Sequence, residues 1–498
     1  MPRTHKVVLA LLASIALAGG SMVPLARAHG GPHGRSEDSA ASPSLLANPP
    51  AVDARQCPND LPAQAADRQA VIENAAFQAT VYALPVVLQY KELYRQAVDQ
   101  SNPAFTGFDK FYHERKVAGP DYATFKVPNA DTLYSNAWLD LTKGPLEVRI
   151  PPTDLRYFTL NVFDIFGNPA NLGTRTIGSA GARVLFVPPN WKGNPAPGVR
   201  LWRATSTHLW ILMRVFAQRE IDLAAAHRFQ DGVIFSRPRP ATTGDALQPP
   251  PPGAGASGML GVLDYVLRSD GVPAGEAAMV AQFAPLGVLC GSGSPWANLT
   301  PEGQAAADAG YAKALALIER SKSQLGTPTG TGWMKTDKGN YGFRYLHRAK
   351  VNAAGLGANV REENASFTTF LDGQGKPLDG AAASYRLTLT TRPPVNAFWS
   401  VTLYDAANYQ LYPNPLKRYL IGDRTRGLIM DRSGAIPIVI SNRQVSGANW
   451  LPAPASKFFV VIRAYLPQAP LLDGRWLPPP IVPVAPSAVT PQNREPAP

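Results

Sequence analysis

Two stretches of this sequence gather residues that bind ligands and move protons. The first is "PNADTLYSNAWLDL", with Asn129, Asp131, Tyr134, Asn136 and Trp138, followed by Tyr157, Asn161 and Asp164. The second holds Asn396, Trp399, Tyr404, Asp405, Tyr409 and Tyr412, and later Arg463 and Tyr465. Aromatic faces with a few directed polar groups make a good floor for a sugar or another amphipathic ligand. Asn129, Asp131, Tyr134, Asp164, Trp399, Tyr404, Asp405 and Arg463 are therefore the candidate ligand-binding residues. Paired carboxylates such as Asp131 and Asp164 would also serve acid–base work on a glycosidic bond, if held at the right separation. The competing reading assigns the aromatics to cores and the Asn and Asp to turns.

Other chemistries find little support. His113, His208, His227 and His347 form no HxH, HxxxH or HExxH unit, and "HERKV" at His113 lacks the second His. No local metal motif exists, and only a site assembled from distant residues stays open. His29 and His33 in "HGGPHG" would chelate copper once a leader is removed, but a tail with incidental affinity is the preferred reading. "GAGASG", Gly253 to Gly258, spells GxGxxG yet follows four prolines instead of a strand. It therefore fails the context that a dinucleotide site requires. GxxxxGK[ST] and GxSxG are absent, and no cofactor is expected.

The elements that must position these residues are mainly strands. The chain has 498 residues, 49 Pro and 42 Gly, with 45% hydrophobic and 17% charged residues, which suits a loop-rich globular protein of two domains. "DRQAVIENAAFQATVYALPVVLQYKELYRQAVDQ" carries helical spacing, with Pro85 expected to kink or divide it. "PLEVRIPP", "RYFTLNVFDIFGN", "ARVLFVPP" and "THLWILMRVF" read as strands, and "EIDLAAAHRFQDGV" returns to helix. A Pro-rich break precedes helices near Gly275 to Phe283 and after Thr300, a plausible N-cap. "SYRLTLT", "AFWSVTLYD", "IPIVISN" and "KFFVVIRAYLP" read as strands again, while the terminal prolines predict no regular structure.

The expected fold is mainly β with helical segments: two β-sandwich or barrel-like modules joined by a helical linker. The divisions are a signal peptide over 1–28, a flexible tail over 29–66 and an N-terminal β module with leading helices over 67–235. A Pro/Gly-rich break and helical linker follows over 236–339, then a C-terminal β module over 340–480 and a Pro-rich tail over 481–498.

The first residues carry Arg3 and Lys6, an apolar run from Val7 to Ala18 and a small-x-small site at Ala26-Arg27-Ala28. They predict a cleaved leader and a periplasmic or secreted protein, with no later stretch approaching the ~18 apolar residues of a membrane span. Cys57 and Cys290 would both survive cleavage and form the disulfide candidate in an oxidising compartment. The net charge of +12 falls to 12 − 3 = +9 without Arg3, Lys6 and Arg27. The basic residues are scattered rather than striped, so no nucleic-acid partner is expected.

"KVPNADTLYSNAWLDL", "PLEVRIPP" and "RYFTLNVFDIFGN" resemble the N-terminal domain of a bacterial envelope family. "GLGANVREENASF", "PPVNAFWSVTLYDA", "YQLYPNPLKRYLIGDRT" and "NWLPAPASKFFVVIRAYLP" resemble its C-terminal domain. Both are domains of unknown function, commonly paired in secreted or periplasmic proteins. The resemblance implies two mainly β modules, leaves a homo-oligomer open and supplies no catalytic residue set. It makes the Pro128–Asp131 stretch the turn at the start of the first β module, with Asn129, Asp131 and Tyr134 near a rim. Three readings remain: a protein that binds a small-molecule, carbohydrate or envelope ligand; a hydrolase or lyase using Asp and Tyr in a β-module cleft; and an envelope assembly protein.

Overall fold

Apolar residues all round a helix require a helix that is covered on most sides. Helix α1 (Ala65–Leu93) meets that demand, and one π turn, Tyr94–Val98, extends it. The computed structural model describes residues 61–122, 126–218, 221–238, 248–291 and 293–484. The leader, Cys57, His29, His33 and most of the two tails lie outside the described residues. Pro85 sits inside α1 without dividing it. Contrary to the sequence expectation, the segment Ala65–Val98 is long and apolar enough to cross a membrane, but most of it is buried by the protein itself.

The first β module contains β1 (Tyr112–His113), β2 (Thr132–Asp140), β3 (Leu146–Ile150), β4 (Phe158–Asp164), β5 (Pro169–Gly173), β6 (Ala182–Val187), β7 (Arg200–Arg203), β8 (His208–Phe216) and β9 (Ile234–Ser236). Two short helices, α2 (Thr174–Ile177) and α3 (Leu223–Gly232), interrupt them. The strands form one sheet in the order β1-β2-β8-β4-β5 and another in the order β7-β6-β3-β9. Period-two alternation divides the first sheet into two different faces. Leu133, Ala137, Ile211, Met213, Leu160 and Val162 pack against Leu146, Val148, Val184 and Phe186 of the second sheet.

The opposite face of that first sheet carries Tyr134, Trp138, Phe163, Trp210 and Leu212, and helices cover much of it. The Trp138 and Trp210 rings stack there with centroids 5.8 Å apart. Burial of both faces explains why β8 reads as a nearly continuous apolar run, while β2 and β4 interleave apolar and aromatic residues with short polar ones. The covering helices are α1, α4 (Gly255–Ser269), α5 (Ala277–Ala281), α6 (Pro301–Ser321) and α7 (Tyr345–Ala354). Thr300 caps α6, its hydroxyl accepting from the Gly303 backbone N–H at 3.2 Å. The segment expected to be a linker is thus a helical layer belonging to the first module, because that sheet has a second apolar face to bury.

The second module contains β10 (Gly326–Pro328), β11 (Met334–Thr336), β12 (Asn364–Thr369), β13 (Ser384–Leu389), β14 (Trp399–Asp405), β15 (Leu420–Gly422), β16 (Ile436–Ser441), β17 (Asn449–Pro452), β18 (Phe458–Tyr465) and β19 (Val482–Val484), with α8 (Ala469–Leu472) before the last strand. Its sheets run β10-β11-β12-β18-β14-β15 and β17-β16-β13-β19. Phe367, Val401, Leu403, Val460 and Ile462 face Leu387, Leu389, Ile436 and Ile438 across the core. Both modules are open sandwiches; among the described residues no sheet closes into a barrel. The module begins near Gly326, ahead of the expected boundary at 340, since β10 and β11 extend its larger sheet. The proline-rich end also departs from expectation: β19 pairs with β13 at the sheet edge, where Pro483 needs no ladder donor on its outer side.

Candidate functional site

The stretch before β2 is held in place by the second module. Val127 has φ of +55°, a costly conformation for a β-branched residue and doubly so before a proline. Its backbone N–H donates to the Tyr409 carbonyl at 3.0 Å, and its carbonyl accepts from Arg463 Nη2 at 2.9 Å. The Tyr404 hydroxyl donates to the Pro128 carbonyl at 2.7 Å and accepts from Arg463 Nη1 at 2.6 Å. The Asn129 backbone N–H donates to the Tyr134 hydroxyl at 2.8 Å. The Asp131 carboxylate accepts from Ser400 Oγ at 2.8 Å and from the Tyr465 hydroxyl at 3.1 Å. Strand alternation explains how the second module reaches it. Ser400, Thr402 and Tyr404 of β14, with Arg463 and Tyr465 of β18, share the face turned away from that module's own core.

The first module contributes the matching face. Tyr134, Arg214 and Thr159 lie in one cross-strand row of β2, β8 and β4. Arg214 donates to the Asn359 side-chain oxygen at 3.2 Å and to the Gly357 carbonyl at 2.6 Å. Asn161 grips the Gly357 and Ala358 carbonyls, each at 3.2 Å, so the connection between α7 and β12 threads along this face. Beside it, Tyr157 donates to Glu363 at 3.0 Å and Arg175 pairs with the same carboxylate at 2.9 Å. Lys338 donates to Asn364 Oδ1 at 2.8 Å and to Ser366 Oγ at 2.7 Å, both on β12. The result is a buried polar layer between the two modules.

Burial dominates the electrostatics of this layer. It pushes the Asp131 carboxyl up, opposed by the charge of Arg463 and by the Ser400 and Tyr465 hydrogen bonds. It also raises the Tyr404 phenol to about 12. Lys338 is held well below the ordinary lysine value, first by burial and then by Arg463 and Arg214. A rim of aromatic rings closes one side, with Tyr157 edge-on to Tyr465 at 5.4 Å and Phe398 stacked on Tyr465 at 4.1 Å. Outside this rim an open groove of about 260 Å³ runs between the modules, lined in part by Leu155, Arg156, Phe216 and Arg424.

The structure therefore brings Asn129, Asp131, Tyr134, Tyr404 and Arg463 together. They lie deep in the layer rather than at an open rim, because the second module covers them; Asn129 and Asp131 are each 7% exposed. Asp164 is elsewhere, accepting from the backbone N–H groups of Phe166 and Asn168 at 3.1 and 2.9 Å and closing the turn after β4. The Asp131 carbonyl accepts from Ala217 N–H while Asp164 pairs with Leu209, which puts the two roughly 25 Å apart along the strands. That separation is far beyond the span of a glycosidase carboxylate pair. Trp399 packs in the second module's core, and Asp405 caps a turn through the Ala407 N–H at 2.8 Å.

Sequence reasoning missed Arg214, Lys338, Ser400 and Glu363. A lone arginine in the apolar run "HLWILMRVF" was a legible signal, the same one that marked Arg463 in "FFVVIRAY". Lys338 in "TDKGN" carried no such mark. Among the histidines, His208 is buried against Asp270 at 2.9 Å, and no group of three or more His, Cys, Asp or Glu fit to hold a metal occurs among the described residues.

One solved structure shares this architecture. The VPA0106 protein from Vibrio parahaemolyticus, known from a crystal structure, superposes with a TM-score of 0.65 at 23% identity, covering 83% of this chain and 100% of its own. A putative uncharacterized protein from Burkholderia cenocepacia gives a TM-score of 0.42 at 11% identity, over 85% of this chain and 97% of its own. No curated protein matches the chain. Residues 108–237 match the family described as protein of unknown function DUF1254 and residues 363–469 match the one described as DUF1214, so the chain pairs these two domains of unknown function, one N-terminal and one C-terminal.

Proposed function

We propose that this chain is an exported two-module β protein that binds a small polar or carbohydrate ligand in the layer between its modules. The observation that carries the reading is the convergence of Asp131, Tyr134, Tyr404 and Arg463 from both modules on one buried polar layer. Ligand sites concentrate at such domain interfaces, where two surfaces supply polar groups of different origin. The left-handed Val127 supports it, since backbone strain held by surrounding bonds clusters at functional sites.

A thermal-shift screen against sugars, organic acids, phosphates and lipids tests the proposal. A ligand at ~100 times its dissociation constant stabilises the fold by ~2.7 kcal/mol. A hit whose effect disappears on Tyr465→Phe or Ser400→Ala places it beside Asp131. A hit indifferent to both, or no hit in any class, sinks the reading.

An enzyme acting from the same layer is the second reading, favoured by the Tyr465 hydroxyl directed at a carboxylate that burial pushes toward its protonated form. Turnover of a bound ligand, lost on Asp131→Asn, would separate enzyme from binder. The pair of Asp131 and Asp164 takes no part in it. Export goes with a Cys57–Cys290 bridge: Cys290 is buried, Cys57 lies outside the described residues, and intact mass before and after reduction tests the link.

A further inference from the structure

Three basic side chains share the inter-module layer without a salt bridge among the described residues, and the Asp131 carboxylate acts on Arg463 only through its charge. Arg463 is 7% exposed, Lys338 7% and Arg214 5%, and among the described residues none of them has a carboxylate oxygen within 4.0 Å. Every hydrogen bond they donate ends on a neutral acceptor: the Val127 and Gly357 carbonyls, the Tyr404 hydroxyl, Asn359, Asn364 and Ser366. Arg214 Nε is buried with no acceptor at all. The ion pairs of this layer lie elsewhere: Glu363 is taken by Arg175, and Asp131 spends its oxygens on Ser400 and Tyr465. Buried charge is costly unless paired, and neutral acceptors return only part of that cost.

The rows of the sheet show how the cations converge. Ser366, Arg463 and Ser400 are direct cross-strand neighbours on β12, β18 and β14, and Lys338 reaches the same row by bonding Ser366. Arg214 comes from β8 of the facing module. Lys338 lies close enough to each arginine for their charges to disfavour its own. We propose that Lys338, Arg463 and Arg214 form the binding site of a small oxyanion, a carboxylate or phosphate group, supplied by the ligand of this layer. The proposal rests on the inter-module binding reading and names its chemical class. Arginine forks and a lysine point charge suit such groups.

Calorimetric titration of the full chain with succinate, citrate, phosphate and sulfate, with neutral glucose and a neutral disaccharide as controls, tests the proposal. One saturable anion per chain is expected, with affinity roughly tenfold or more weaker in Lys338→Met, as for loss of a charge-assisted contact. Lys350→Met, which removes a lysine that among the described residues bonds only the Gln324 carbonyl, should bind as the wild type does. The carboxylate and phosphate arms identify which oxyanion the site takes. Anion binding that is unsaturable, or equal in both variants, overturns the proposal. A neutral sugar that binds while no anion does overturns it too but leaves the inter-module reading standing; silence from every compound removes both.

Should Lys338→Met fail to fold, proton uptake by the wild type decides. Lys338 faces Asn364 and Ser366 from β12, Arg463 from β18 and Arg214 from β8. An arriving anion favours the protonated form of Lys338, so binding followed from about pH 6 to 10 in buffers of different ionisation enthalpy should show net proton uptake within that range. Zero uptake rejects Lys338 as part of the site.

Discussion

At the scale of single residues, the layer is held together by groups that are expensive alone. Val127 accepts a left-handed backbone because Arg463 and Tyr409 hold its carbonyl and N–H in that geometry. Lys338 has a pH signature of its own. Its folded-state value lies well below the ordinary 10.5, so the unfolded chain binds more protons between those two values. Stability therefore rises with pH across that window, by at most about 1.4 kcal/mol per unit for one group. Lys338→Met should be the more stable protein at neutral pH, with the gap to the wild type closing toward about pH 9.5, still below the ordinary tyrosine range. Urea unfolding of both proteins at several pH values measures this. A gap that is constant with pH would mean Lys338 is not held in a depressed state.

At the scale of elements, close approach matters more than propensity. Gly310 lies in the middle of α6, where an alanine would normally gain about 1 kcal/mol of helix stability. A Cβ at that position would sit 2.2 Å from the Glu73 carbonyl oxygen of α1, a backbone atom that cannot swing aside. The clash outweighs the propensity, and Gly310→Ala should destabilise the protein by about 2 kcal/mol. Chemical denaturation reads the difference, and an unchanged or improved stability would show that α1 and α6 can separate freely. The same helices explain why β2, β4 and β8 are buried on both faces.

At the scale of the whole molecule, the first module cannot stand without its helical layer. The sandwich alone would expose Trp138, Phe163, Trp210 and Leu212, a face that α1 and α4 cover in the intact chain. A fragment of residues 61–238 retains α1 but lacks α4, α6 and α7. It should bind the dye ANS strongly and aggregate, whereas the full chain should do neither. A fragment that unfolds cooperatively and stays monomeric would contradict the assignment of those helices to this module. The second module likewise completes the first, since its sheet face holds the Val127–Asp131 turn.

Local pattern by itself marked the longer strands, the helices α1, α3, α5 and α6, and two β-rich blocks. Alternation, Pro and Gly punctuation and the Thr300 cap act over a few residues, and the segments read from them appear in the structure as β3, β4, β6, β8, β13, β14, β16, β18 and α6. Part of the candidate site was legible for the same reason: Arg463 is a charge inside an apolar strand, and Tyr134 and Asp131 stand in a dense polar–aromatic run. Asp164, Trp399 and Asp405 looked alike in composition, yet they serve a turn, a core and another turn. Which side of a sheet faces a second module is a long-range fact. Only the tertiary structure set Arg214, Lys338 and Arg463 into one layer, because contacts such as Arg463 to Val127 and Arg214 to Gly357 join residues 336 and 143 positions apart and leave no mark on local spacing.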